Sequence, residues 1–533
     1  MTTLFYNGKI YSVDKNNTKY SAMEVENGKI VGLFDSVDLN NFKNSRKVDL
    51  DGKTILPSMT DSHLHFILAA AQMCIGFQVS EVVNGKLFPT TLQEALKVIE
   101  ERVQNCVPNK LNIAANYITT SVAEKRLPTK DELDAVTKNF PLVVYTIDGH
   151  SCACNSLALK LLGIDSGNHN GLLTGQEHDF MQGKITDTAM NGVNLSIAYK
   201  GISRLVNESV KYGIGTLCCL EGYDDAVNDL PMALATTFMP RLPIRMRLFQ
   251  QYSNIERAKK NFPLLRKKRI GGCGTWEMDG SVGSRSAAFD IPYLGEPKTC
   301  GKLYYSDKDR DEMFLKPANE GVTISTHAIG TLAIEKALDS FEKVTPSGNP
   351  LRNRLDHTEF PYAKDVERII KLNLDVTVQP GYAYLDAKYF HSYESFIEKE
   401  VIDRELPLKT LVDGGVNVLG SSDCPVQSLN PFVQMKGMID CVNKSERLTK
   451  LQALKTYTVF PSNSLGENKE SGSIEVGKNA DFGVYRNDYF ETAVDKIEDI
   501  TCEDLYLCGK IVKPMSGGMF EMLKVLLRRK KLI

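Results

Sequence analysis

From about residue 58 to residue 466 the chain alternates short apolar runs with helical patterns, and this alternation restricts its fold more than any other feature. The runs Leu142-Val143-Val144-Tyr145, Val322-Thr323-Ile324-Ser325, Leu374-Asp375-Val376-Thr377-Val378 and Val416-Asn417-Val418-Leu419 have the length and β-branched content of buried strands. Strands separated by helices make a parallel sheet, and over this length the expected α/β architecture is a (β/α)8 TIM-like barrel. The flanks differ. Residues 1–57 show alternating polarity broken at Asn7-Gly8, Asn27-Gly28 and Asp51-Gly52, as hairpins require. The same texture returns in Ser473–Tyr485 and Leu507–Lys513. The expected organisation is therefore a small β-sandwich built from both chain ends (1–57 with 467–515), a barrel (58–466) and a basic C-terminal helix (516–533).

Composition removes several classes of function. In 533 residues, 64 basic side chains nearly balance 66 acidic ones, which gives no reason to expect nucleic acid as a partner. No apolar run is long enough to span a bilayer, and the first residues lack the basic start and apolar core of a secretory signal. The 12 cysteines are scattered without a disulfide or zinc-finger spacing, which fits a reducing cytoplasm. A small-molecule substrate is expected, and a homodimer is left open.

In a parallel barrel the polar residues at the C-terminal ends of strands are the ones to suspect of chemistry. His63 and His65 flank Leu64 near the end of the first such run, and residues two apart on a strand share a face, so both imidazoles can meet one cation. His327 follows Val322–Thr326, His357 follows Arg354-Leu355-Asp356, and Asp423 follows Val418–Ser422. Taken singly, each histidine is a buried core residue and Asp423 a helix cap. Taken together, five ligand-capable side chains at four strand ends describe one barrel mouth.

The chain resembles the amidohydrolase superfamily, and within it the amidohydrolase-3 branch described as YtcJ-like. The resemblance runs through Leu56-Pro57 to His65-Phe66, Asp148-Gly149-His150, Asp279-Gly280-Ser281-Val282-Gly283-Ser284-Arg285, His327-Ala328-Ile329-Gly330, Asp356-His357, Val378-Gln379-Pro380, Gly420–Pro425 and Gly472–Asp481. It implies one or two divalent metals, usually zinc with manganese or iron as alternatives, held by His63, His65, His327 and His357. It also implies that Asp423 is both ligand and general base. Members of the branch commonly carry a lysine before the Asp-Gly-Ser segment that bridges two metals once carboxylated; the corresponding position here is Thr275, which cannot take that role. If Gly274–Asp279 is a regular strand, Glu277 shares the face of Thr275 one step nearer the mouth and would serve as the bridging ligand. Glu221, at the end of Leu217–Leu220, is the rival.

His150, after the strand-like Val143–Ile147, is expected to reach the mouth and assist catalysis by steadying a carbonyl oxygen. Arg285 and Glu177 are candidate substrate contacts, the latter on an insertion over the mouth together with the region from Gly76 to Lys138. The expected activity is metal-assisted hydrolysis of a non-peptide amide, formamide or cyclic amide with Asp423 as base. A deaminase of the same architecture and a non-catalytic metal-binding barrel are the alternatives.

Overall fold

The computed structural model describes residues 2–83, 86–167, 169–191, 193–226, 228–295 and 298–533. Eight parallel strands form the central sheet: β1 (Met59–Leu64), β2 (Ile214–Glu221), β3 (Arg245–Gln250), β4 (Arg269–Glu277), β5 (Thr323–Ala328), β6 (Arg354–His357), β7 (Asp375–Val378) and β8 (Val418–Gly420). They neighbour one another in chain order, as right-handed βα crossovers dictate. Backbone bonds from Asp423 N–H to the His63 carbonyl (2.9 Å) and from His65 N–H to the Cys424 carbonyl (2.8 Å) tie the end of β8 to β1 and close the ring at the mouth. The fold is the expected (β/α)8 barrel.

The two chain ends build the small β-sandwich. The strand Thr54–Pro57 pairs antiparallel with Phe482–Tyr485, so the N- and C-terminal segments share one six-stranded sheet. A four-stranded sheet from the N-terminal segment covers it, and Phe5, Met23, Ile55 and Phe482 meet in the core between them. Asn27 and Gly28, at φ 51° and 82°, make the left-handed two-residue turn that matches the twist of the flanking strands.

Two expectations are corrected. Leu142–Thr146 is not a barrel strand; it is the centre of a separate five-stranded sheet with Gly76–Gln78, Asn112–Tyr117, Ser151–Cys154 and Leu172–Thr174, inserted between β1 and β2. This insertion has its own core around Ile99, Tyr117 and Val144, so a short apolar run there satisfies a different sheet from the barrel's. The C-terminal helix spans only Met519–Leu526, not 516–533. Adjacent cations at Arg528–Lys531 repel along a helix, and the chain is drawn instead along the barrel, where Lys531 N–H donates to the Pro240 carbonyl (2.8 Å) and Arg266 N–H to that of Ile533 (2.7 Å). The 12 cysteines are unpaired, and among the described residues no helix is long and apolar enough to cross a membrane.

Candidate metal centre and active-site cleft

The site is built where β1, β4, β5, β6 and the extension of β8 converge. His63 is the penultimate residue of β1, His327 lies near the end of β5, His357 ends β6, and Asp423 sits three residues beyond β8. His357 and Asp423 hold left-handed backbone conformations, φ 68° and 54°, that cost a side-chain-bearing residue about 1–2 kcal/mol and turn both side chains inward.

At their centre is a residue that sequence reasoning missed. The Sγ of Cys273 lies 3.4 Å from His63 Nε2, 3.9 Å from His357 Nε2 and 4.0 Å from His327 Nδ1. The cause is a break in strand register. Gly272 pairs with Thr326 and Glu277 with the next residue, His327, so residues 273–276 bulge out of β4. Gly271 makes this possible: its φ is 98°, and a Cβ there would come 1.8 Å from the Ser325 carbonyl oxygen. The Gly271-Gly272-Cys273-Gly274 run was the available signal, because glycines clustered inside a strand mark a bulge.

The bulge also overturns the regular-strand argument for Glu277 and Thr275. Thr275 donates its hydroxyl to the Gln251 carbonyl (2.6 Å), away from the histidines. Glu277 accepts the Gly274 N–H (2.8 Å) and gathers with His150 and Asp179 in a neighbouring cluster rather than among the four histidines. Glu221 accepts the Ile67 N–H (2.7 Å) at the start of the helix after β1, where a carboxylate caps the first turn.

Each inward nitrogen is set by what the opposite ring nitrogen does. His357 donates Nδ1–H to Gln379 Oε1 (2.8 Å), leaving Nε2 towards Cys273; Gln379 is in turn anchored by donating to Ser421 Oγ (2.8 Å). His327 donates Nε2–H to the Gly280 carbonyl (3.2 Å), leaving Nδ1 inward. Asp423 Oδ1 stands 3.4 Å from Nε2 of both His63 and His65. Burial presses the His63 imidazolium down, but Asp356, 3.4 Å from its Nδ1, and then Asp423 outweigh this and push its pKa up to about 9. Burial followed by the His63 charge lowers His357 to about 4, so that it stays a neutral ligand-type imidazole.

The second cluster is organised by Asp179, also unforeseen. It accepts from His150 Nδ1 (3.0 Å), from His178 Nδ1 (2.9 Å) and from the Tyr304 hydroxyl. Burial disfavours a charged His150, yet Asp179 prevails and its pKa is pushed up to about 10. Asp279, at the head of the Asp-Gly-Ser segment, accepts the backbone N–H groups of Ala288, Ile329 and Gly330 (2.8, 3.0 and 2.8 Å) and so anchors that loop.

A cleft with two arms opens above His150, His357 and Asp423, which line both. One arm has a mixed lining, with Ser281, Glu359, Tyr393 and Gln427 beside Val282 and Ile329. The other is mainly apolar, with Leu68, Ile113, Tyr145, Ile147, Pro425 and Val426. Among the described residues neither arm is lined by a lysine or arginine. Glu177 and Arg285 line a separate open depression: Glu177 lies 3.6 Å from His169, and Arg285 stacks 4.8 Å over Phe396.

A barrel with ligand-type side chains at its strand ends and a β-sandwich from both termini is the architecture of a metal-dependent hydrolase. The chain belongs to the amidohydrolase family, in its amidohydrolase-3 branch, whose model matches residues 46–513. It is 23% identical to YtcJ of Bacillus subtilis, over 97% of this chain and 100% of that one. It is 26% identical to the N-substituted formamide deformylase of Arthrobacter pascens, over 97% and 99%. A metal-dependent hydrolase of Pyrococcus furiosus shares the fold, with TM-score 0.68 and 20% identity over 92% of this chain and 100% of that one. The protein is a hydrolase of this family.

Proposed function

We propose that this hydrolase cleaves a non-peptide C–N bond in an uncharged small amide or formamide, at a centre holding one or two divalent cations, zinc foremost. The observation that carries the reading is the convergence of three inward imidazole nitrogens on Cys273 Sγ beside Asp423. The donor set fits zinc, which takes imidazole nitrogen, thiolate sulfur and carboxylate oxygen together. The buried Asp423 Oδ1 makes no well-formed hydrogen bond among the described residues, which leaves its lone pairs for a cation. His63, His65, Asp423 and Cys273 would hold one cation, and Cys273, His327 and His357 would hold a second where two are bound.

A cation so held supplies Lewis acidity and lowers the pKa of water from about 15.7 to about 7. Asp423, facing the cleft, takes the proton of the attacking water and returns it to the departing nitrogen, which leaves as a neutral amine. His150 is held as a charged donor by Asp179 and lines both arms at their junction, where it can steady the developing negative charge on the carbonyl oxygen. The apolar arm suits an N-substituent. Among the described residues no lysine or arginine lines either arm, so the cleft offers no ammonium or guanidinium clamp for a substrate carboxylate, and the formamide deformylase relative points to N-substituted formamides.

The test is to measure products and metal together on protein purified without chelator, offering N-substituted formamides and neutral acetamides. Amine and carboxylate in equal amounts, with one or two metals per chain, are expected. Ammonia without a new carboxylate would move the chain to the deaminases. Metal binding without turnover on any amide, ester or amidine would favour the non-catalytic reading.

A further inference from the structure

The helix Met519–Leu526 is apolar on two sides. Met522 and Val525 are buried against the barrel flank, while Met519, Phe520 and Leu523, with the capping Leu527, are 62%, 73%, 52% and 86% exposed. Positions 520, 523 and 527 are three and four residues apart, and 519 lies four before 523, so they form one outward stripe. Five of the twelve large hydrophobic side chains exposed among the described residues fall within 519–532, which makes this a patch and not scattered surface. Cations rim it. Lys524 lies 4.3 Å over the Phe520 ring, and Arg529 and Lys530 are exposed just beyond. The lone acid of the segment, Glu521, is engaged in accepting the N–H groups of Ser516 (2.8 Å) and Gly517 (3.0 Å) just before the helix.

We infer that this stripe docks on an anionic lipid surface, with the apolar side chains entering the headgroup boundary and the cations meeting lipid phosphates and carboxylates. Charge complementarity decides the occupant: a second copy docked stripe to stripe about a two-fold axis would bring its own Lys524, Arg529 and Lys530 against these. The geometry permits it as well. The tail is bonded to Pro240, Leu264 and Arg266, which precede β3 and β4 and so lie at the end of the barrel opposite the mouth. Docking there leaves the cleft open to water.

The experiment is co-sedimentation of the full chain with vesicles of phosphatidylcholine alone and with about a third phosphatidylserine, beside light-scattering mass. Wild type is expected to pellet with the anionic vesicles only, and less as salt rises. Phe520→Ser/Leu523→Ser and Lys524→Glu/Arg529→Glu are each expected to lose at least about tenfold in binding with turnover unchanged. Wild type left in the supernatant with both vesicles overturns the inference. So does equal pelleting of wild type and both variants, or a dimer whose mass halves in the Phe520→Ser/Leu523→Ser variant, which would make the stripe an interface between copies.

Discussion

Cys273 Sγ lies 3.4 Å from His63 Nε2 although 210 positions separate the two residues, and it does so because β4 leaves its ladder to point a thiol across the barrel. Burial and then the nearby Glu277 and Asp423 charges raise the pKa of that thiol, so without a cation it is expected to stay protonated. A cation among the histidines would favour the thiolate.

The first prediction follows from that contact. Cys273→Ala should lose about one metal per chain and more than about 100-fold in kcat/KM, whereas Glu277→Gln should keep its metal complement. Plasma mass spectrometry on both variants checks this. Full metal in Cys273→Ala with loss in Glu277→Gln would return the bridging role to the carboxylate.

Gln379 orients His357 and also lines one arm of the cleft. Gln379→Leu removes the acceptor for His357 Nδ1–H and should weaken metal affinity by about 10–100-fold. A chelator competition titration reads the effect, and turnover should recover at saturating metal. Unchanged affinity would show that His357 is held by packing alone.

Asp423 and His63 should separate base from ligand. Asp423→Asn retains an oxygen ligand and is expected to keep much of the metal while losing about 10²–10⁴-fold in kcat. His63→Ala should lose metal and activity together. Equal metal loss in the two variants would contradict the assignment of Asp423 as base.

The His150–Asp179 pair gives a pH-dependent stability. Its raised histidine contributes fully below the ordinary value of 6.5 and loses that contribution as pH rises through about 10. Its carboxyl is held below the ordinary 3.8, burial notwithstanding, chiefly by the charge of His150, so that contribution is lost only in stronger acid. The gap in urea midpoint between wild type and Asp179→Asn should therefore be widest between about pH 4 and 6.5 and shrink towards pH 10. Asp179→Ala, which strands a buried imidazolium, should cost about 3–5 kcal/mol. A gap that stays constant across that range would show that the pair is not charged.

Much of the mouth was legible in one dimension. His63, His65, His327, His357 and Asp423 each follow an apolar strand run, and a parallel barrel places every strand end on the same rim. The insertion was harder, because Leu142–Thr146 has the composition of a barrel strand, and only its pairing with Ser151–Cys154 shows that it belongs elsewhere.

The sequence by itself determined the barrel, the joining of both ends in one sandwich and the residues at the strand ends, because these depend on periodicities of two and 3.6 that repeat along the chain. Only the tertiary structure decided that Cys273 and not Glu277 stands among the histidines, and that Asp179 holds His150. A bulge shifts the facing of every residue after it, and a hydrogen bond across 29 positions leaves no local period to read.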